Sequence, residues 1–172
     1  FRVVIDTDKD QDIFRDILIG GELTFENFFH AIINSFEFEG NQLASFYLSN
    51  DDWDKGREIG LMDMGFEAED ESMPLVMSKT AIQDQCTEVG QKMILVYDFL
   101  SMWCFLIEVI EIKEEVSDTA ELVLTVGTPP SESDRTSHAE EDELSLDMFD
   151  EELDDMDDEE YNDFENIDDL DI

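Results

Sequence analysis

The sequence predicts an α+β domain, in which an antiparallel sheet packs on one long helix plus a short helix, followed by a disordered acidic tail. Three observations predict this class. An apolar run at residues 92–112 divides into two strands, apolar residues at 25–36 recur at helical spacing, and acidic residues dominate from residue 131 onward. We place the domain at residues 1–128 and the tail at residues 129–172.

The apolar run at residues 92–112 has the length of a membrane span, which needs about 20 apolar residues without charge at mid-depth. It contains one aspartate and two glutamates, so we interpret it as two strands, at residues 93–99 and 102–112. Only Leu100 and Ser101 separate these strands. Neither residue suits a tight hairpin turn, so we expect a longer or bulged connection.

The main helix is predicted from a stripe of phenylalanine and isoleucine at residues 25–36. Thr24 is placed to cap its N-terminus, and Glu26 suits the first turn. We expect the helix to end near residues 38–40 and its phenylalanines to pack on the sheet; a ligand groove lined by the same rings is the alternative. His30 lies off the stripe, where a structural or exposed role is expected.

The remaining elements are predicted from short apolar runs between turn residues. They are strands at residues 1–6, 13–19, 43–49, 58–64 and 122–126, and a short helix at 78–86 capped by Ser78 or Thr80. The loop at residues 6–12 has an aspartate at every other position, but neither register supplies the Gly and Glu of a calcium-binding loop. We predict a solvated hairpin loop there, with a weak divalent-ion site as the alternative.

The charge of the chain argues against direct binding to nucleic acid, which depends on Lys and Arg. The formal charge is −39, of which −20 belongs to residues 131–172, with 21 acidic residues and one Arg. Residues 1–130 carry the other −19, from 27 acidic and 8 basic residues. Partners selected by electrostatics should therefore be basic.

No signal peptide or membrane-spanning segment is visible, which favours the cytoplasm. Cys86 and Cys104 lack ligand-like spacing, so two buried thiols are expected, with a disulfide or metal role as the alternative. The chain has no GxSxG, phosphate-binding loop, dinucleotide fingerprint or HExxH, and its two histidines are too few for a His-based metal site. We therefore expect no cofactor and no enzymatic activity.

Four stretches of the sequence carry a family resemblance. They are FRDILI at residues 14–19, LTFENFFHAIINSFEFEG at 23–40, NQLASFYL at 41–48 and VYDFLSMW at 96–103. Over residues 1–113 the chain resembles the plasmid pRiA4b ORF-3-like family, including members carried as passengers of insertion elements. The last stretch is similar to the family's Tyr-Asp-Phe signature with a Trp four residues after the Phe. The resemblance implies an α+β roll whose antiparallel sheet curls around the long helix.

The sequence departs from that family at polar positions. Many members have a Gly-Asp pair after the signature Phe and a His soon after the Trp, where this chain has Leu100, Ser101 and Cys104-Phe105. Gln42 stands where many members have a His. We interpret the chain as a branch without the polar groups that could have formed a site there.

Arg15 and Asp98 are the candidate polar pair of the domain, because a buried carboxylate requires a partner. A salt bridge or capped loop that fixes the fold is one interpretation. The alternative is a ligand or peptide site beside Tyr97, Asp98 and Trp103.

The tail alternates acidic and apolar residues, and its composition predicts disorder in isolation. Tyr161, Phe164, Ile167 and Leu170 recur every three residues, so a helix would place them on one slowly drifting stripe that a groove could accept. This alternation suits a basic partner, or mimicry of a nucleic-acid strand against a DNA-binding protein. A tail that only solubilises the domain is the alternative.

The sequence thus leaves two hypotheses about function. In the first, the protein is a non-enzymatic interaction protein whose acidic tail contacts basic proteins, among them proteins that handle DNA. In the second, the domain binds a small ligand or catalyses a reaction, and the tail is a solubiliser. We prefer the first because the residues offer a binding feature and no reaction.

Overall fold

The domain is built on one mixed sheet. The computed structural model describes residues 1–8, 10–63, 65 and 73–135. Its strands are β1 (Arg2–Ile5), β2 (Phe14–Ile19), β3 (Ala44–Ser49), β4 (Lys55–Gly60), β5 (Leu75–Val76), β6 (Lys92–Tyr97), β7 (Trp103–Glu108) and β8 (Ala120–Val126). Within the described residues they form an eight-stranded sheet in the order β5-β4-β3-β6-β7-β1-β2-β8. Every neighbouring pair is antiparallel except β4 and β5, which are parallel.

The apolar run forms the two central strands β6 and β7, as predicted. Their register pairs Tyr97 with Trp103, Leu95 with Phe105, and Met93 with Ile107, and all six side chains are buried. β7 ends at Glu108, before the predicted residue 112. Among the described residues, no helix is long and apolar enough to cross a membrane.

Helix α1 (Phe25–Ser35) packs its apolar stripe on the sheet. Thr24 caps it as predicted: its hydroxyl accepts a hydrogen bond from the Asn27 amide at 3.3 Å, and the Asn27 side chain accepts one from the Thr24 amide at 3.1 Å. Phe25 and Phe28 contact Phe46 of β3, with ring centroids 5.2 and 5.7 Å apart. The predicted aromatic contact between helix and sheet therefore forms the core.

The prediction of a long helix is wrong, because α1 has only 11 residues and ends at Ser35. Glu37 adopts a left-handed backbone with φ of 61°. At about 100° per residue, a continuing helix would carry Phe38 to the side opposite Phe36, away from the core. The reversal at Glu37 instead buries Phe38 against Trp103 and Phe105, with centroids 5.1 and 5.8 Å apart.

The predicted short helix is interrupted. A 3-10 turn (Met77–Lys79) precedes helix α2 (Ile82–Gln85), and the residue that caps α2 is Ala81, so neither Ser78 nor Thr80 serves as its cap. The backbone at residues 80 and 81 is extended, and hydrogen bonds tie this stretch to residues 23–25: Phe25 N donates to Thr80 O at 3.0 Å, and Ile82 N donates to Leu23 O at 2.9 Å.

The compact unit that contains the sheet is Phe1–Thr136. It extends past the boundary that we predicted at residue 128. The second unit is Ser137–Ile172 and lies outside the described residues, as do the predicted tail residues Tyr161, Phe164, Ile167 and Leu170.

Arg15 fixes the fold, but not through Asp98. Its side chain on β2 is only 2% exposed and donates to the carbonyl oxygens of Ser35 at 2.9 Å, Phe14 and Val126 at 2.9 Å, and Gly127 at 3.2 Å. The guanidinium also lies 4.7 Å from the centroid of the Phe36 ring. The predicted pair with Asp98 is not formed, because backbone carbonyls at the end of α1 and after β8 satisfy the buried cation instead.

We predict that Arg15→Met lowers the free energy of unfolding by about 2–3 kcal/mol, since it leaves buried carbonyl oxygens without their donor. Arg15→Lys should be nearly as unstable as Arg15→Met, because one ammonium group cannot reach all the carbonyl oxygens that the guanidinium binds. The measurement is denaturant unfolding of the full chain.

The matched control is Arg2→Met on the neighbouring strand β1, where the Arg2 side chain is 42% exposed and pairs with Asp16 at 2.8 Å. That variant should lose less than about 1 kcal/mol. Equal losses for the two variants would contradict the role of Arg15.

Candidate functional site

The turn between β6 and β7 supplies the first part of the candidate site. Asp98 and Met102 both have left-handed backbones, with φ of 57° and 53°. The Asp98 carboxylate accepts a hydrogen bond from the Leu100 amide at 3.1 Å, and the Asp98 carbonyl accepts one from the Met102 amide at 2.6 Å. The turn is thus longer than a two-residue hairpin, as predicted, and Asp98 serves to shape it rather than to pair with Arg15.

Tyr97 and Trp103 face each other across β6 and β7 and form the floor of the site. Both are buried, with 0% and 1% of their surface exposed. Phe38 packs against both rings, with centroids 5.9 and 5.1 Å away. The Gly40 amide donates to the Tyr97 hydroxyl oxygen at 3.0 Å, which leaves the phenolic proton free to be donated elsewhere.

The Glu132 carboxylate accepts the hydrogen bond that this phenolic proton makes. One oxygen of its carboxylate accepts a hydrogen bond from the Tyr97 hydroxyl at 2.7 Å, and the other accepts one from the Glu39 amide at 2.7 Å. The Glu132 carbonyl accepts a third bond from the Trp103 indole nitrogen at 3.3 Å. None of the ion pairs among the described residues includes Glu132, so neutral donors alone bind this carboxylate.

Arg135 lies at the other end of a 3-10 turn (Glu132–Arg135) and also binds the domain. Its guanidinium donates to the carbonyl oxygens of Met102 at 2.6 Å and Asp6 at 2.8 Å, and it lies 4.4 Å from the centroid of the Trp103 ring. We call residues 130–135 the clasp segment, and the groups of the domain that bind it the clasp site.

The sequence predicted Tyr97 and Trp103 as site residues but missed Glu132 and Arg135, which composition assigned to the tail. The predicted site beside Tyr97 and Trp103 is therefore occupied by a segment of the chain itself. One signal was present: Arg135 is the only Lys or Arg after Lys113, and it stands among acidic residues.

The electrostatics of the site favour a neutral Tyr97. Burial, followed by the hydrogen bond to Glu132 and the charge of Glu132, raises the pKa of Tyr97 to about 12. Deprotonation would place two anions in contact in a buried setting. The hydrogen bond between Tyr97 and Glu132 is consequently stable at neutral pH.

The two cysteines are free thiols outside the clasp site. Burial raises the pKa of Cys86 to about 12, and burial also raises the pKa of Cys104. Both are therefore weak nucleophiles at neutral pH. The described residues include no group of three or more His, Cys, Asp or Glu side chains placed to hold a metal ion.

A separate groove of about 470 Å³ lies between α1 and the start of β8. Asn27, His30 and Asn34 line its helical side, and residues 118–122 line the other. His30 is exposed, as the sequence predicted. The groove does not include the residues of the clasp site.

The fold and the clasp define a small sheet-rich α+β protein that binds part of its own chain. The model of a family described as plasmid pRiA4b ORF-3-like protein matches residues 1–170, so this chain belongs to that family. The match extends well beyond residues 1–113, where the sequence resemblance was found.

A solved structure of a protein of unknown function from Methanosarcina mazei Go1 is similar, with a TM-score of 0.59 at 20% identity, covering 85% of this chain and 79% of that one. At that identity the likeness shows the fold. Comparison with curated proteins found no match.

We predict that the stability supplied by Tyr97 disappears as the pH rises from 10 to 12. The pKa of this phenol is higher in the folded protein, about 12, than its ordinary value of 10.0, so its contribution is complete below pH 10 and is lost through that interval. The measurement is the difference in unfolding free energy between wild type and Tyr97→Phe at each pH. A difference that stays constant across the interval would contradict the prediction.

We also predict that Glu132→Gln increases the rate at which trypsin cleaves after Arg135, by about tenfold. The protease must remove the Arg135 side chain from its carbonyl partners, and loss of a hydrogen bond to a charged group costs about 1.5–3 kcal/mol. Because Arg135 is the last basic residue, the released fragment is residues 136–172 and is easily identified by mass. Glu26→Gln in the first turn of α1 is the matched control and should leave this rate unchanged.

Proposed function

We propose that this protein is a non-enzymatic, cytoplasmic interaction protein whose acidic C-terminal region contacts basic proteins, including proteins that handle DNA. The observation that carries the proposal is the clasp, because the domain binds Glu132 and Arg135 at the point where the acidic stretch begins. A segment that only keeps the domain soluble has no need of a specific anchor. An anchored start instead sets where the acidic region leaves the domain.

The charge of that region supports the choice of partner. Residues 131–172 carry 21 acidic residues and a single Arg, and Arg135 itself is engaged with the domain. Such a stretch attracts basic surfaces from a distance and accelerates association with them, and salt weakens the attraction. Tyr161, Phe164, Ile167 and Leu170, which lie outside the described residues, are the residues proposed to add apolar contacts once a partner is bound.

The use of polar groups within the domain also favours an interaction protein. Every buried side-chain nitrogen or oxygen among the described residues has a hydrogen-bond partner. Arg15, the most deeply buried cation, donates to four carbonyl oxygens, and Tyr97 is engaged by Glu132 and Gly40. These groups stabilise the fold and the clasp and leave little free polar chemistry in the core.

The second candidate function rests on the groove beside His30. Its volume of about 470 Å³ and its mixture of amide, imidazole and aliphatic side chains are suitable for a small ligand. In that case the acidic region would serve only to solubilise the domain. We favour the interaction protein because the clasp is a formed contact, whereas no hydrogen bond among the described residues joins His30 to a hydroxyl or carboxylate of the groove.

We predict that basic proteins from a matched cell lysate bind the full chain at low salt and are released at moderate salt. A chain that ends at Arg135 keeps the domain and the clasp but lacks the acidic region, and it should recover none of them. The measurement is a pull-down with both chains, followed by identification of the bound proteins. Recovery of the same proteins by both chains, unaffected by salt, would contradict the proposal.

A full-length control separates charge from apolar contact. Replacing Tyr161, Phe164, Ile167 and Leu170 with serine leaves the net charge unchanged. The variant should retain salt-sensitive capture but bind more weakly, since the electrostatic attraction remains and the apolar contact is lost.

A further inference from the structure

The clasp has the properties of a peptide bound to a receptor. Glu132 supplies a carboxylate bound by two neutral donors, and Arg135 supplies a guanidinium bound by two carbonyls and the face of Trp103. Pro130, at the start of the segment, is buried, whereas Ser131 and Asp134 between these anchors are exposed. Three anchor residues separated by exposed ones are typical of a short peptide motif.

The side of the contact that the domain supplies is built from pairings and ring contacts within the domain. Tyr97 and Trp103 are paired across the two central strands, and Phe38 packs against both rings. The Gly40 amide donates a hydrogen bond to the Tyr97 hydroxyl oxygen. This bond within the domain orients the hydroxyl so that its proton points toward the carboxylate. A binding site whose donors are fixed in advance loses little entropy when it binds a peptide.

Backbone strain is concentrated around the same site. Four non-glycine residues of the described chain have positive φ, and three of them, Glu37, Asp98 and Met102, lie in two of the three loops that contact the clasp segment. Such conformations are unfavourable for residues with a side chain and occur preferentially at functional positions, ligand-binding ones included. The Met102 carbonyl is one of the two acceptors of Arg135, so the strained turn contributes directly to recognition.

The clasp segment holds its own shape. The Asp134 amide donates to the Ser131 carbonyl at 2.9 Å, and the Ser131 amide donates to the Asp134 carboxylate at 3.1 Å. These bonds close the 3-10 turn within the segment. A peptide of the same sequence carries the donors and acceptors of both bonds and needs no other part of the chain to make them.

We propose that the clasp site is a receptor for an acidic peptide motif of the form Pro-x-Glu-x-x-Arg carried by a partner protein, and that residues 130–135 are an internal copy of the motif that occupies the receptor until a partner's motif replaces it. This inference goes beyond the proposed function, since it concerns a site on the domain and needs no contact by the acidic region. The internal copy acts as a competitor at an effective concentration of about millimolar, so a partner binds only when its motif is tighter or more abundant.

The test uses the full chain with its internal motif disabled by Glu132→Ala and Arg135→Ala together. The probe is a labelled synthetic peptide with the sequence of residues 128–137, TPPSESDRTS, and binding is followed by fluorescence anisotropy. We expect the disabled variant to bind the peptide and wild type to bind it at least about tenfold more weakly, because the site of wild type is occupied. A control peptide with Gln and Ala in place of its Glu and Arg should not bind either protein.

Two receptor variants in the disabled chain locate the binding. Tyr97→Phe removes a hydrogen bond to the peptide carboxylate and should weaken binding by about tenfold or more. Tyr47→Phe on β3 makes the same chemical change outside the clasp site and should leave binding unchanged. Equal binding by both variants, or equal binding of the control peptide, would overturn the proposal.

A hydrogen-exchange measurement on wild type tests the same proposal without any variant that could unfold. Excess unlabelled peptide should increase hydrogen exchange at the backbone amides of residues 131–135 in the intact chain, because it displaces the internal copy. Unchanged exchange at saturating peptide would show that the segment is a fixed part of the fold and would also overturn the proposal. If wild type forms a dimer that the Glu132→Ala and Arg135→Ala changes together abolish, the occupant is the segment of a second copy of this chain, and the partner motif is wrong.

Discussion

The contact between the aromatic stripe of α1 and the inner face of the central strands is the interaction on which the structure depends. Burying one such side chain contributes about 1.5–3 kcal/mol, and the stripe at residues 25–36 supplies four of the nine buried aromatic rings of the described residues. The contact also decides where the helix ends. Because Phe38 must reach Trp103, the backbone reverses at Glu37, and this reversal places the amides of Glu39 and Gly40 where they bind Glu132 and Tyr97.

A second constraint is the placement of charge inside a very acidic protein. Arg15 and Glu132 are both held by neutral groups, the first by backbone carbonyls and the second by a phenol and an amide. A charge bound in this way keeps its hydrogen bonds although no opposite charge is in contact with it. Both residues act on the same part of the chain, since Arg15 binds the carbonyls that follow β8 and Glu132 binds just beyond them. The path from β8 to the acidic region is thereby attached to the domain at two points.

Membership of the pRiA4b ORF-3-like family and the likeness to the Methanosarcina mazei protein agree with this arrangement of sheet and helix. The family match reaches residue 170 and so includes the clasp segment. The polar family positions that are replaced here, at Leu100 and Ser101, lie in the turn that presents the Met102 carbonyl to Arg135. The turn now contributes shape and a backbone acceptor, and the Asp98 carboxylate stabilises its backbone by accepting a hydrogen bond from the Leu100 amide.

The sequence by itself determined the central strands, the capped helix and the burial of its phenylalanines, because periodic apolar residues and local capping act over a few positions. It also predicted a site beside Tyr97 and Trp103, since large aromatic residues beside a polar turn stand out in an apolar run. Only the tertiary structure decided that the helix stops at Ser35, that Arg15 binds carbonyls rather than Asp98, and that Glu132 and Arg135 belong to the site. Each of these depends on contacts between groups that are far apart in the sequence and come together only when the sheet forms. Amino-acid composition contains no information about such long-range contacts.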